Sequence, residues 1–299
     1  MYCATVRVQV TGFGMYTVGV CIDEAYFVPA LTTLTSLADS QPAGDLKSVG
    51  VRVLTADLSR GRAETMASVV ARLGFGSFDI AWHRTDRWQV VSCDHISATT
   101  YLRFAFTADF VGDDHLIYLD GDLVVLGDLA TPLDGLGPSR LALVQDELVA
   151  TVGRGAALPG VADRWPAFRG RPYFNAGVMW CPTSLLSGLN RSITRIMAGA
   201  GQHIHFNDQD ALNLWALHGS AVVPAPPAYN RFELDRFEDG AQSRAREGTP
   251  VVLHFVGPDK PWQPTCPDTE GVRLYRSYLR QAASLVSRAK DPTAGIRWQ

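Results

Sequence analysis

Two aspartates separated by a single glycine follow a short apolar segment near the middle of the chain. Residues 116–119 are continuously apolar, as in a buried strand, and Asp120 and Asp122 come directly after them. Ligands of open α/β sheets bind beyond the carboxyl ends of strands, and paired carboxylates suit a hard divalent cation that also contacts phosphate. A turn between two strands is the alternative, because Asp-Gly is a common hairpin signal, and the pair taken alone favours that turn.

A second set of reactive side chains follows another apolar segment, residues 251–253. His254, Gly257 and Lys260 suit a cation and phosphate site. Imidazole ligates transition metals, glycine allows phosphate to come close, and lysine supplies positive charge. A single histidine is more often structural, so this segment by itself leaves both interpretations open.

Polar residues also interrupt a third apolar segment, residues 173–180. Asn175 and Gly177 lie inside what otherwise reads as a strand. Glycine within a strand marks either a bulge or the close approach of a ligand or another backbone. The bulge is the simpler interpretation of this segment alone.

A fourth segment, residues 207–215, is typical of the start of a helix. Asn207 or Asp208 can serve as its cap, and acids are favourable near the positive end of the helix dipole. Capping explains one acid, whereas Asp210 is a second one. This segment therefore carries more acid than capping requires.

Alternating strand and helix patterns predict how these segments are positioned. Strands are predicted at residues 5–10, 17–22, 51–54, 77–81, 116–119 and 141–144. Helices are predicted around Leu31, Leu34 and Leu37 and over residues 63–73. Such alternation with short polar connections indicates a parallel sheet covered by helices. Two of the other strands also end on acids, at Asp23 and Asp146.

Other patterns indicate structure rather than chemistry. Arg103 lies about 200° from Tyr101 around a predicted helix, off its apolar stripe, so it is predicted to be solvated. His203 and His205 are interpreted as strand residues on one face, not as a metal pair, because no third ligand is near them in the sequence. Residues 153–171 show no periodicity and are predicted to be irregular.

Composition excludes several classes of protein. The 299 residues carry a formal net charge of −3, with a pI near 6.2, which argues against a general nucleic-acid binder. The five cysteines form no Cys-x-x-Cys pair, so neither a disulfide framework nor a zinc cluster is expected, and the predicted location is cytoplasmic. No signal peptide and no apolar segment of about 18 residues is predicted.

Taken together, four segments resemble the family 8 glycosyltransferases, which include bacterial lipo-oligosaccharide galactosyl- and glucosyltransferases and glycogenin. In the family's order and spacing they are Tyr-Leu-Asp-Gly-Asp at 118–122, Tyr-Phe-Asn-Ala-Gly-Val at 173–178, Asn-Asp-Gln-Asp-Ala-Leu-Asn at 207–213, and His-Phe-Val-Gly-Pro-Asp-Lys-Pro-Trp at 254–262. Residues 95–103 also match, and the likeness runs from about residue 18 to residue 262.

The resemblance implies an α/β fold of the GT-A type, with a single Rossmann-like mixed sheet flanked by helices. It also implies a retaining enzyme that transfers a hexose from UDP-linked glucose or galactose to a hydroxyl acceptor, which would be a glycan or a small-molecule natural product. The implied cofactor is Mn²⁺ or Mg²⁺. Residues 1–299 would form one domain, with a nucleotide-sugar half at 18–150, an acceptor half at 151–265 and a carboxyl-terminal helix and tail at 266–299.

The resemblance further implies a role for each site residue. The implied metal ligands are Asp120, Asp122 and His254. The implied donor-binding residues are Asp23, Tyr26, His95, Arg103, Asp120, Asp146, Asn175, Gly177, Gly257 and Lys260. Gln209, with Asp208, would contact the transferred sugar, and Asp210 is the reserve candidate for a nucleophile.

Three features depart from the family pattern. Ala25 stands where asparagine is frequent, which removes one expected contact to the base, and Gly121 is smaller than the usual residue between the two metal acids. The predicted carboxyl-terminal helix is only modestly basic, so at most weak membrane association is expected. Its basic residues are Arg273, Arg276, Arg280, Arg288 and Lys290.

Three other functions use the same kinds of residues. A self-glucosylating primer like glycogenin would need an acceptor tyrosine, and no tyrosine is identifiable as one. A nucleotide-sugar-binding module without turnover is disfavoured because the acids of the motifs are all present. A metal-dependent nucleotidyltransferase also uses acids at strand ends but would not require the segments at 207–213 and 254–262.

Overall fold

A computed structural model describes residues 5–9, 16–42, 45–85, 98–219, 222–237 and 248–289. Within these residues lie the strands β1 (Thr5–Gln9), β2 (Tyr16–Ile22), β3 (Val49–Thr55), β4 (Ser77–Trp82), β5 (His115–Leu119), β6 (Leu123–Val125), β7 (Leu141–Gln145), β8 (Phe174–Pro182), β9 (Val222–Ala225), β10 (Arg231–Phe232) and β11 (Val252–His254). The strands predicted from the sequence are confirmed, with ends that differ by one or two residues.

Eight of these strands form one mixed sheet, in the order β1-β4-β3-β2-β5-β8-β7-β9. β4, β3, β2 and β5 run parallel, whereas β8 runs antiparallel between β5 and β7. The carboxyl ends of β2, β5 and β7 therefore meet the amino end of β8 at one edge of the sheet. Asp23, Asp120, Asp146 and Asn175 lie at or next to these ends, so the topology gathers residues that are far apart in the sequence.

The segment Asp120-Gly121-Asp122 is not a hairpin turn, although it joins two successive strands. β5 pairs with β2 and β8, whereas β6 pairs with β11 in a smaller sheet of the order β10-β11-β6. The two aspartates therefore lie where the chain passes from one sheet to the other. In the smaller sheet His254 lies opposite Leu123, the residue after Asp122.

Helices cover both faces of the large sheet. The α-helices in the described residues are α1 (Phe27–Ser40), α2 (Arg60–Leu73), α3 (Ala108–Val111), α4 (Val161–Arg164), α5 (Thr183–Gly199), α6 (Asn207–Gly219) and α7 (Glu270–Ala289). α1, α2 and α7 share one apolar core with the sheet, and α5 and α6 share a second core on the other face. The predicted leucines of α1 are fully buried. None of these helices is both long and apolar enough to cross a membrane.

The prediction that His203 and His205 lie on one face of a strand is wrong. His203 ends a 3-10 helix, Gly201–His203, and its Nδ1 lies 2.7 Å from the carbonyl oxygen of Pro159. His205 lies in the bend before α6. Two polar residues with one apolar residue between them are too short a pattern to specify a strand, and local hydrogen bonds decided the conformation instead. The segment 153–171, predicted to be irregular, contains α4 and a 3-10 helix, Pro166–Phe168.

Candidate active site

A cavity of about 330 Å³ opens at the sheet edge where the strands end. Its lining includes thirteen of the residues predicted from the sequence: Asp23, Tyr26, Arg103, Asp120, Asp122, Asp146, Asn175, Gly177, Asp208, Gln209, His254, Gly257 and Lys260. Asp210 does not line it, and His95 lies outside the described residues. The fold therefore brings the predicted residues from seven separate segments to one place.

Asp120, Asp122 and His254 form a cluster with the chemistry of a metal site. One ligand atom from each lies within 4.8 Å of the others, and no other such group of three occurs in the part of the chain that the structure describes. His254 Nε2 lies 3.4 Å from Asp122 Oδ1 and 4.0 Å from Asp120 Oδ2. Two carboxylates and one imidazole can bind either Mn²⁺ or Mg²⁺, and the imidazole favours Mn²⁺.

Lys260 adds positive charge next to this cluster. Its Nζ lies 2.5 Å from Asp122 Oδ2 and donates to the carbonyl oxygen of Phe255 at 2.9 Å. Burial by itself would raise the pKa of Asp122, but Lys260 and His254 outweigh burial and hold the pKa well below its ordinary value of 3.8. Asp122 is therefore a buried carboxylate that stays ionised.

Arg103 is buried, so the prediction that it is solvated is wrong. Its side chain is 2% exposed; Nη2 lies 2.9 Å from Asp120 Oδ1, and Nε lies 2.9 Å from Asp208 Oδ2. The helix that carries it is a 3-10 helix, Ala98–Phe104, which packs against β2, β3, α5 and α6. Burial would lower the pKa of Arg103, but the two aspartates outweigh burial and raise it. Arg103 thus links Asp120 of this cluster to Asp208 at the start of α6.

Asp208 enters the cavity from a strained turn at the start of α6. The preceding residue, Asn207, has a φ of 45°, in the left-handed region where asparagine is tolerated better than most residues. Both atoms of the Asn207 amide are buried and make no hydrogen bond to any described residue. Burial raises the pKa of Asp208, and Arg103 opposes that shift.

Gln209 is held at both ends of its amide. Its Oε1 accepts from Asn175 Nδ2 at 2.9 Å and from the backbone N–H of Ala176 at 3.2 Å. Its Nε2 donates to Asp146 Oδ2 and to the hydroxyl of Tyr173, at 3.2 Å in both cases. The Gln209 carbonyl is therefore fixed in one orientation at the cavity wall.

Asp210 points away from the cavity and into the protein. Its Oδ2 accepts from the backbone N–H groups of His205 and Phe206 at 2.6 and 2.7 Å. Its Oδ1 accepts from Leu158 N–H at 3.2 Å and from the Tyr173 hydroxyl at 2.7 Å. Burial raises the pKa of Asp210, and these donors oppose the shift. Four donors and the absence of contact with the cavity favour a structural role over that of a nucleophile.

At two positions of the site, neighbouring side chains lie so close that a residue larger than glycine would clash with them. A Cβ at Gly177 would lie 2.4 Å from His254 Cε1, so Gly177 makes room for the imidazole. A Cβ at Gly121 would lie 3.0 Å from Tyr26 Cδ1, so Gly121 lets the segment with the two aspartates pack against α1. The ring of Tyr26 also packs edge-on against Trp262, with 5.4 Å between centroids.

The sequence did not point to Asn230 or Tyr118. Asn230 is fully buried and contacts both His254 and Asn175. The Tyr118 hydroxyl donates to Asp120 Oδ1 at 2.8 Å, and the Arg103 guanidinium lies over its ring at 4.5 Å. No local pattern marks Asn230, because its partners are distant in the sequence. For Tyr118 the only signal was its place in the matched segment, two residues before Asp120.

Comparison with known proteins points to one family. The model for glycosyl transferase family 8 matches residues 17–266. Glycosyltransferase GlyF of Streptococcus pneumoniae serotype 4 is 27% identical over 176 residues, which are 56% of this chain and 38% of GlyF. Lipopolysaccharide 1,2-glucosyltransferase of Escherichia coli K12 is 29% identical over 189 residues, which are 60% of this chain and 53% of that protein. The matched region is thus about half or less of each of these relatives.

Solved structures show the same fold. The galactosyltransferase LgtC, solved in complex with donor and acceptor sugar analogues, has a TM-score of 0.70 at 22% identity, covering 89% of this chain and 95% of LgtC. Glycosyltransferase GlyE of Streptococcus pneumoniae TIGR4 has a TM-score of 0.63 at 20% identity, covering 92% of this chain and 63% of GlyE. The predicted GT-A fold is confirmed. Since the family model matches most of its length, the chain belongs to glycosyl transferase family 8.

Proposed function

We propose that the chain is a metal-dependent, retaining hexosyltransferase. It would move glucose or galactose from a UDP-linked donor to a hydroxyl group of a glycan or a small-molecule natural product. One observation carries the proposal: a cluster suited to a divalent cation, an adjacent lysine and an oriented glutamine line the same cavity. If a nucleotide sugar lay between the cation and Gln209, its diphosphate would be next to positive charge. Its anomeric carbon would be next to the amide oxygen of Gln209.

On the leaving-group side, Asp120, Asp122 and His254 would hold the cation. When bound, a divalent cation supplies Lewis-acid stabilisation of the departing diphosphate. Lys260 would add a positive charge that matters most as negative charge develops in the transition state. Gly257, which has a φ of 84°, lines the cavity beside this group and would allow the diphosphate to approach the backbone.

On the sugar side, Gln209 would stabilise positive charge at the anomeric carbon. Its carbonyl oxygen already accepts two hydrogen bonds, and an amide oxygen is a weak nucleophile, so we favour a dipolar role over a covalent intermediate. The acceptor hydroxyl would attack from the face that the diphosphate leaves, and a departing phosphate oxygen would take its proton. This route forms the new glycosidic bond with retained configuration.

Hydrogen-bonding groups around Gln209 would orient the donor. Arg103 and Asp208 form an ion pair at the cavity wall, and Asp146 and Asn175 hold the Gln209 amide. The hydroxyl groups of a hexose need such fixed donors and acceptors. Asp23 and Tyr26, at the end of β2, would contact the nucleoside.

A donor panel tests the proposal. The protein would be incubated with nucleotide sugars and Mn²⁺, with and without candidate acceptors, while free nucleoside diphosphate is measured. Release of diphosphate that requires metal supports the proposal, and no release from any donor contradicts it. A gain in the mass of the protein itself would indicate self-glucosylation instead. Pyrophosphate released from a nucleoside triphosphate and a sugar phosphate would indicate a nucleotidyltransferase.

Substitution of one metal ligand then tests the site. Asp122→Ala should abolish metal-dependent turnover, because the cation would lose a buried carboxylate ligand. Asp163→Ala is a matched control, since Asp163 is an exposed aspartate on α4 outside the cavity. Undiminished turnover in Asp122→Ala would contradict the metal assignment.

A further inference from the structure

Asn230 connects the two sides of the proposed site. It ends the 3-10 helix Pro227–Asn230, just before β10, and is fully buried. Its Oδ1 lies 2.8 Å from Nδ1 of His254, and its Nδ2 donates to Asn175 Oδ1 at 2.8 Å. Asn175 in turn donates to Gln209, so side-chain hydrogen bonds run without interruption from the sugar side to a metal ligand.

The backbone determines the direction of these hydrogen bonds. The N–H of Gly177 donates at 2.8 Å to the side-chain atom of Asn175 that also faces Asn230. A backbone N–H can only donate, so this Asn175 atom must be the oxygen and not the amide nitrogen. Asn230 must therefore present its NH₂ group to Asn175, which leaves its oxygen facing His254.

The orientation of Asn230 decides the tautomer of His254. An amide oxygen only accepts, so Nδ1 of His254 must carry a proton to donate to it. In the neutral ring Nε2 then has a free lone pair, and Nε2 is the atom that faces Asp122 at 3.4 Å. The opposite tautomer would present an N–H to the cation and could not ligate it.

We infer that Asn230 is a positioning residue that fixes the metal-binding tautomer of His254. This inference rests on the proposed metal-dependent function, because it assigns Asn230 a role toward the cation. Partners of this kind orient metal-ligating histidines and typically change metal affinity by about 10–100-fold when they are lost. Asn230 also ties the ring to Asn175, so the metal ligand and Gln209 are held in one hydrogen-bonded unit.

Nuclear magnetic resonance of the metal-free protein tests the tautomer directly. Two-bond ¹H–¹⁵N spectra distinguish Nδ1–H rings from Nε2–H rings and both from imidazolium, and the pH is raised until the spectra show neutral rings. The signals of His254 are those lost in His254→Gln. We expect the Nδ1–H form in the wild type and a shift toward the Nε2–H form in Asn230→Leu, which has no acceptor.

Binding of Mn²⁺, followed by electron paramagnetic resonance of the free ion, is the second readout. Asn230→Leu should weaken binding by about 10–100-fold. Asn230→Asp keeps an acceptor for Nδ1–H and should retain Mn²⁺ binding close to that of the wild type, although it loses the bond to Asn175. Asn190→Leu is the control, because it removes a side-chain hydrogen bond to the Phe104 carbonyl away from the cavity. It should leave both readouts unchanged.

Two results would overturn the inference. The first is an Nε2–H ring at His254 in the wild type, a result that requires no folded variant. The second is an Mn²⁺ affinity of Asn230→Leu equal to that of the wild type. A wild-type protein that does not bind Mn²⁺ at all contradicts the proposed metal-dependent function itself, whereas normal wild-type binding with an unaffected Asn230→Leu contradicts only the role of Asn230.

Discussion

Gly177→Ala is the substitution that most directly tests how the proposed metal site is built. A Cβ at this position would lie 2.4 Å from Cε1 and 2.9 Å from Nδ1 of His254, and ordinary contact begins near 3.4 Å. The ring must therefore withdraw by about 1 Å, because the backbone of β8 is fixed within the sheet. Metal–ligand distances tolerate only about 0.2 Å, so a shift of this size removes His254 from the ligand set.

The expected loss has two parts. Overpacking a buried site costs about 1–3 kcal/mol of the free energy of unfolding. The hydrogen bond between His254 and Asn230 would also be strained, and such a bond contributes about 0.5–1.5 kcal/mol. Mn²⁺ affinity should fall by at least about tenfold. Urea denaturation in EDTA measures the first effect, and Mn²⁺ titration followed by electron paramagnetic resonance measures the second.

A double-mutant cycle separates contact with the ring from other effects of the methyl group. In a His254→Ala background the new Cβ meets no imidazole, so Gly177→Ala should destabilise the protein less than it does in the wild type. Gly188→Ala is the matched control: nothing lies within 4 Å of its added Cβ, and in the interior of α5 it should stabilise the protein by about 0.5–1 kcal/mol. Equal destabilisation in both backgrounds, or unchanged Mn²⁺ affinity in Gly177→Ala, would refute the reasoning.

Three further predictions concern neighbouring residues. Asn207→Gly should be more stable than Asn207→Ala by about 1 kcal/mol in urea denaturation, because alanine is strained at a φ of 45°; equal stability would contradict this. Asp210→Asn should lower the free energy of unfolding by about 1–3 kcal/mol, because its amide NH₂ would face backbone N–H donors. If Asp210 acted on the substrate instead, stability would stay unchanged while activity was lost. In EDTA the wild type should have a higher free energy of unfolding than Asp122→Asn, and this difference should be largest well above pH 3.8. It should shrink as the pH falls below 3.8, because a carboxylate whose pKa is lowered in the folded state stops stabilising the fold as it becomes protonated. A difference that stays constant from pH 7 to pH 3 would argue against that pKa shift.

The sequence by itself determined the elements and the kinds of residues at their ends. Residues 116–119 had to form a buried strand because they are continuously apolar, and the following aspartates then had to lie at its carboxyl end. The leucines of α1 were predictable for the same reason, since their spacing matches the helical period. These signals are local, so no knowledge of distant contacts was needed. The ordered motifs together also indicated the family.

Only the tertiary structure decided what these residues contact. Arg103 was predicted to face solvent from its position on one helix, but burial of that helix on several sides turned it into a bridge between two aspartates. The motif that supplies Asp208 and Gln209 also contains Asp210, and only the packing of α6 shows that Asp210 points away from the cavity.

The roles of Gly177 and Asn230 were beyond the reach of the sequence for a further reason. Both depend on where His254 lies, and its place is set by the register between β11 and β6, which pairs His254 with Leu123. Register is a cooperative property of the whole sheet, because a shift of one residue would turn every side chain of a strand to the opposite face. The sequence therefore determined which groups are available for chemistry, and the pairing of distant strands decided that two carboxylates and one imidazole meet at one point.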